Sequence, residues 1–171
     1  MRKTMLSVGV LGGIAAGLAG LGVMQEGEGR GQPDLGAMLI EGLMNTEGCL
    51  GADAAQTRSG KNCIFAWFKD KKAVQDWYYS QAHRRIMGPM VNGIEDFEPK
   101  PLQFVPDDTG PIMVIATITM GGDDPIPGFP MPISQISIEL FQPLPGGVEI
   151  NGRFSPEGFK IEHMKSYTPE E

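Results

Sequence analysis

Only two cysteines, Cys49 and Cys63, and two histidines, His83 and His163, occur in 171 residues. That scarcity excludes a disulfide framework and the ligand spacings of a structural zinc site. Aromatic residues make up 8% of the chain, and basic residues are outnumbered by acidic ones, 14 to 21. Residues 25–171 retain 12 of the basic residues and all 21 acidic ones, a net charge of −9, which argues against nucleic acid and anionic membrane surfaces as partners. There is no Gly-rich phosphate loop, no nucleophile motif and no dinucleotide fingerprint. Long hydrophobic runs are absent after residue 24.

What precedes residue 25 is of another kind. Met1-Arg2-Lys3-Thr4 leads into about twenty uncharged residues, Met5 to Met24, with small residues around Ala16-Gly17-Leu18-Ala19. A basic start, an apolar stretch and a small-residue cleavage site read as an export signal. The competing reading is an uncleaved anchor, since the stretch is about long enough to span a bilayer. The expected location is therefore periplasmic or extracellular, with membrane attachment only through residues 5–24. Residues 25–32 form a Gly, Glu and Gln linker with nothing to bury. Residues 33–171 are expected to fold as a single domain.

The most informative stretch is Asn62 to Met87. Cys63 to Phe68 is an unbroken apolar run after the turn signal Arg58-Ser59-Gly60-Lys61, which predicts a strand apolar on both faces. Cys63, Phe65 and Trp67 point one way, and Ile64, Ala66 and Phe68 the other. Asp70 suits a helix N-cap. Beyond it the apolar spacing changes to about 3.6, so that Ala73, Val74, Trp77, Tyr78, Ala82 and Ile86 share a stripe opposite Lys72, Asp76, Tyr79, Ser80 and His83. One continuous helix is expected, with His83 at the surface near Asp76 unless the helix breaks before it.

Elsewhere, Pro33-Asp34 opens a helix with Leu35, Met38, Leu39 and Leu43 along one side. Gly51 to Thr57 reads weakly as a strand pairing with Asn62 to Phe68 across the turn. That register sets Cys63 opposite about Gln56 and leaves Cys49 near the far end of the hairpin, so a buried thiol at Cys63 is favoured over a bridge. Ile112 to Met120 is the strongest strand and should be central. Ile136, Ile138 and Leu140 form another, and Val148, Ile150 and Phe154 alternate as its return strand in a hairpin from Ser134 to Phe154. The long Pro-rich connection Gly88 to Gly110 carries enough apolar residues to cover a site.

A helix ending in Thr46-Glu47-Gly48-Cys49, the weak strand, Ile64-Phe65-Ala66-Trp67, Lys71-Lys72-Ala73, Asp76-Trp77, Ser80 and His83 together resemble the antibiotic-biosynthesis-monooxygenase family, over about Asp34 to Met87. The resemblance implies an α+β fold with a ferredoxin-like antiparallel sheet, two helices on one face, and a homodimer of the dimeric α+β barrel type burying the other face. An extra C-terminal hairpin would fill the slot of the family's first strand, which has no counterpart before the first helix here. The resemblance also implies a cofactor-independent monooxygenase acting on a small apolar or aromatic substrate, with haem as the cofactor of its haem-degrading members. Trp77 resembles the tryptophan that lines the haem pocket in those members, and His83 their iron-ligating histidine, although only a short spacing separates the two here.

The candidate site residues are accordingly His83 and Asp76 for catalysis, and Trp77, Tyr78, Trp67 and Phe65 for the substrate. His83 would act as a base, with an ordinary pKa of about 6.5. A non-catalytic ligand-binding or structural module is the alternative in which Trp77 is a core residue. Met87, Met90, Met120 and Met131 are candidates to line an adaptable apolar pocket. Asp107-Asp108 and Asp123-Asp124 are weak candidates for a hard cation, and His163 has no partner at useful spacing.

Overall fold

In the computed structural model, residues 34–91, 100–127 and 132–167 are described, all within one compact unit that spans residues 33–171. The two-faced apolar run forms strand β2 (Asn62–Phe68), and the weakly patterned segment before it forms its antiparallel partner β1 (Cys49–Gln56). Gly60, at φ +84°, closes the turn between them, where the Thr57 N–H donates to the Lys61 carbonyl at 2.9 Å. Cys63 lies opposite Ala55, one residue from the expected register, and Cys49 opposite Phe68; both thiols are free.

Strand β3 (Ile112–Met120) runs antiparallel along the whole of β2, and β4 (Ile133–Phe141) pairs antiparallel with β3. The sheet order is β1-β2-β3-β4, which places the most regular strand in the interior as expected. With helices α1 (Leu35–Met44), α2 (Lys71–Tyr78) and α3 (Gln81–Val91), this is an α+β domain compatible with a ferredoxin-like fold, although consecutive strands are neighbours in the sheet. The slot beside β2 is taken by β3. The expected hairpin does not form: after β4 the chain makes only the two-residue β5 (Val148–Glu149), which pairs in parallel with β6 (Lys165–Ser166). Gly146, Gly147, Asn151 and Gly152 all have positive φ, so the alternation of Val148, Ile150 and Phe154 belongs to a looped segment.

That segment covers the sheet face opposite the helices. Phe154 meets Phe65 and Trp67 edge-on, with ring centroids 5.0 and 4.9 Å apart. Gly51, directly opposite Trp67, has no side chain to keep Pro156 away; a Cβ there would lie 3.0 Å from the proline ring. Arg153 holds the turn by donating to the Pro156 and Glu157 carbonyls at 3.0 and 2.8 Å, and Phe159 is buried. Cys63 and Trp67 are buried without a second molecule, so the apolar second face of β2 supplies no reason for a homodimer at that face.

On the other face, Ala66, Phe68 and Ile112 pack with Leu43, Ala73, Val74 and Leu102. Asp34 and Asp70 cap α1 and α2, accepting from the Ala37 and Ala73 N–H groups at 3.1 and 2.8 Å. Gly42 lets α1 approach α2 and α3, because a Cβ there would lie 3.0 Å from the Trp77 ring and 3.1 Å from Ala82. The expected continuous helix is broken. α2 ends at Tyr78, and Ser80 starts α3 by accepting the His83 N–H on its hydroxyl at 3.0 Å and the Arg84 N–H on its carbonyl at 3.1 Å. This restart changes the rotational phase of every later residue, and it makes three helices of the expected two.

No helix among the described residues is long and apolar enough to cross a membrane. The leader at residues 1–24 and the linker at 25–32 lie outside the described residues.

Candidate ligand pocket

A cavity of about 270 Å³ lies between the helices and the sheet. Its floor is the helix-side row of three strands: Ile64 and Ala66 on β2, Val114, Ala116 and Ile118 on β3, and Ile136, Ile138 and Leu140 on β4. Ala66 pairs with Val114, and Ala116 with Ile64, so the two alanines lie on a diagonal across β2 and β3 within the floor. Side chains that stop at Cβ fill less of the space between sheet and helices than the large apolar residues beside them, which helps keep room open over the floor. Leu39 and Leu43 of α1, Trp77 of α2, and Ile86 and Met87 of α3 form the walls. Pro101 and Leu102 close one end, so the Pro-rich connection contributes to covering the site. Towards β4 the cavity is open, and Ile138 and Leu140 are 56% and 42% exposed.

The helix break delivers His83 into this cavity. Its ring packs against Trp77 and Tyr78 with centroids 5.3 and 4.9 Å apart, and its Nδ1 lies 2.9 Å from the Tyr78 carbonyl oxygen. A carbonyl only accepts, so Nδ1 carries the proton and Nε2 presents its lone pair. Nε2 makes no hydrogen bond among the described residues, and since no buried side-chain nitrogen or oxygen there lacks a partner, it is open to solvent. Burial pushes the imidazole pKa below its ordinary 6.5, outweighing the opposite effect of the Tyr78 carbonyl, so the ring is neutral at pH 7. The Tyr78 phenol is pushed up, by burial and then by Tyr79, and stays protonated.

The expected surface position of His83 is thus corrected: the restart at Ser80 turns it away from Asp76, which instead forms an ion pair with Lys72 on the outer side of α2. Trp77, Tyr78 and His83 come together as pocket residues. Phe65 and Trp67 do not join them, because odd-numbered residues of β2 face the C-terminal segment. Met87 lines the pocket, Met120 does not, and Met131 lies outside the described residues. The sequence reading missed the alanine floor; its signal was Ala66 and Ala116 on strands of otherwise large apolar residues.

Among the described residues no group of three or more His, Cys, Asp or Glu side chains is placed to hold a metal ion. Asp107 accepts from Lys71 at 2.7 Å. For haem, the pocket lining offers one imidazole nitrogen but no Arg or Lys to meet the two propionates, so the described residues do not fit that group. No protein-family model, curated protein or solved structure matches the chain.

Proposed function

We propose that the domain binds a small, uncharged, largely apolar molecule carrying one hydrogen-bond donor. The observation behind this is the neutral His83, with an unpaired Nε2, which lines a cavity otherwise formed almost wholly by aliphatic and aromatic side chains. Apolar walls provide affinity in proportion to the area removed from water, and one fixed acceptor orients the ligand. A carboxylate ligand is disfavoured, since no cation lines the cavity and a neutral Nε2 repels an anion.

The monooxygenase implied by the family resemblance is a second reading, favoured by the same imidazole. A neutral ring with its tautomer fixed is ready to take a proton from a hydroxyaromatic substrate, leaving an electron-rich anion open to oxidation by dioxygen. Export through residues 1–24 remains part of the proposal.

Titration of the purified protein with 1-naphthol, naphthalene and 1-naphthoate at pH 7.5, followed by tryptophan emission, tests the first reading. Naphthol should bind tighter than naphthalene by about 2- to 13-fold, the equivalent of one hydrogen bond of 0.5–1.5 kcal/mol, and naphthoate weakest. His83→Phe should abolish the preference for naphthol. Equal binding of all three, or none, overturns the proposal. Oxygen uptake with naphthol decides the second reading.

A further inference from the structure

The sheet has two edges, and they are not alike. β1 is guarded: its ladder is interrupted between Cys49 and Gly51, and the exposed Asp53 at its middle turns its carboxylate onto the Ala54 N–H at 2.7 Å. β4 is less guarded: its one charged side chain is the exposed Glu139, whose carboxylate accepts from the Ser137 hydroxyl at 3.3 Å. Its one irregularity is at the start, between the Gln135 and Ile133 pairings, and from Gln135 to Phe141 it is regular, without Pro, Lys or Arg. Among the described residues no strand pairs with its outer edge. Ile138, Leu140 and Phe141 are all at least 40% exposed.

We propose that two copies of this chain pair through β4, antiparallel about a two-fold axis perpendicular to the sheet at Ile138. Such an axis keeps corresponding faces together, because residues opposite one another in an antiparallel pair share a face. Ile138 then meets Ile138 of the partner subunit, Ile136 meets the partner's Leu140, and on the far face Ser137 meets the partner's Glu139. An axis at Glu139 would set two carboxylates against each other, and one at Ser137 would set Leu140 against the partner's Ser134. Of these axes only the one at Ile138 matches all three helix-side aliphatics with their like, with Phe141 set against the partner's Gln135, and this self-complementarity selects a second copy over an unrelated strand.

Ile136, Ile138 and Leu140 are also the part of the pocket floor at its open side. Pairing therefore brings each pocket mouth against the partner's aliphatic row and joins the two cavities over a continuous sheet. The pairing stands independently of the proposed function; its effect on ligand binding rests on that reading.

Sedimentation of the full chain over a dilution series should show twice the chain mass. Ile138→Lys should give a monomer with unchanged circular dichroism, and Ile138→Cys should cross-link to a covalent dimer on mild oxidation where the parent chain, with Cys49 and Cys63, does not. A monomer throughout the series overturns the proposal, as does a dimer that survives Ile138→Lys and fails to cross-link through Ile138→Cys. Naphthol should bind the monomeric Ile138→Lys protein several-fold more weakly; equal affinity overturns the shared floor. Failure of the parent dimer to bind naphthol would instead remove the pocket reading and leave the pairing standing.

Discussion

His83 donates its Nδ1–H to the carbonyl of Tyr78, five residues earlier and on the other side of the break between α2 and α3. The bond ties the first turn of one helix to the last residue of the other. It satisfies a carbonyl at the α2 C-terminus that no helical N–H can reach, and it selects the tautomer in which Nε2 is the unprotonated nitrogen.

Stability should therefore depend on pH through His83. Its folded pKa is lowered, chiefly by burial, so the unfolded chain takes the proton first as pH falls. The contribution is complete above about pH 6.5, the unfolded value, and is lost progressively as pH falls below that towards the folded pKa. Urea unfolding between pH 5 and pH 8 should show a lower midpoint on the acid side, and His83→Gln should flatten that slope. The carboxyl of Asp107, held below its ordinary value by Lys71, titrates in a more acidic window and should not contribute there.

Ser80 is the residue on which the placement of His83 depends. Ser80→Ala removes the oxygen that accepts the His83 N–H and should cost about 0.5–2 kcal/mol. It should also weaken naphthol binding by more than a mere loss of stability would, because the first turn of α3 carries the acceptor nitrogen. Binding measured well below the unfolding temperature separates the two effects. Unchanged affinity would show that His83 is held by its packing on Trp77 and Tyr78 instead.

The same serine shows where sequence reading stops. A stripe at 3.6-residue spacing from Ala73 to Ile86 fits one helix as well as two, and only a cap inside the run betrays the break. Ser80 followed by good helix formers is such a signal, but a serine on a polar helix face is equally ordinary. β2 was legible because an apolar run on both faces has few alternatives. What covers its second face was not, because the C-terminal segment works through Phe154, Pro156 and Phe159, three residues with no common period. The hairpin expectation failed for a related reason. Val148, Ile150 and Phe154 alternate, yet the glycines and Asn151 around them adopt positive φ and bend the chain out of any strand.

Lys71 is the one buried charged residue recorded among the described residues, and its ammonium donates to the Val105 carbonyl at 2.6 Å and to Asp107 at 2.7 Å. Both acceptors belong to the connection that supplies Leu102 to the pocket. Lys71→Met should destabilise the domain by about 1–3 kcal/mol through the lost charge-assisted bond to the carbonyl. Asp107→Asn should do less, because the Asp107 side chain is 99% exposed and water replaces it readily. Denaturation midpoints of the two variants should fall in that order, and the reverse order would show that the ion pair, not the carbonyl contact, fastens the connection.

Phe154 offers a test of who covers the second sheet face. It is 61% exposed, so little of its own area is buried, but it meets both Phe65 and Trp67 edge-on. Aromatic pairs of this geometry contribute about 0.5–1.5 kcal/mol each beyond area burial, so Phe154→Ala should cost on the order of 1–2 kcal/mol. In a Trp77→Phe background the remaining tryptophan is Trp67, buried at 3% exposure. Its emission should shift to the red and become more open to acrylamide when Phe154 is removed. Emission unchanged by Phe154→Ala would mean that something other than the C-terminal segment shields Trp67. A second molecule seated on that face would give the same result only with a quenching that varies with protein concentration, so a dilution series distinguishes the two.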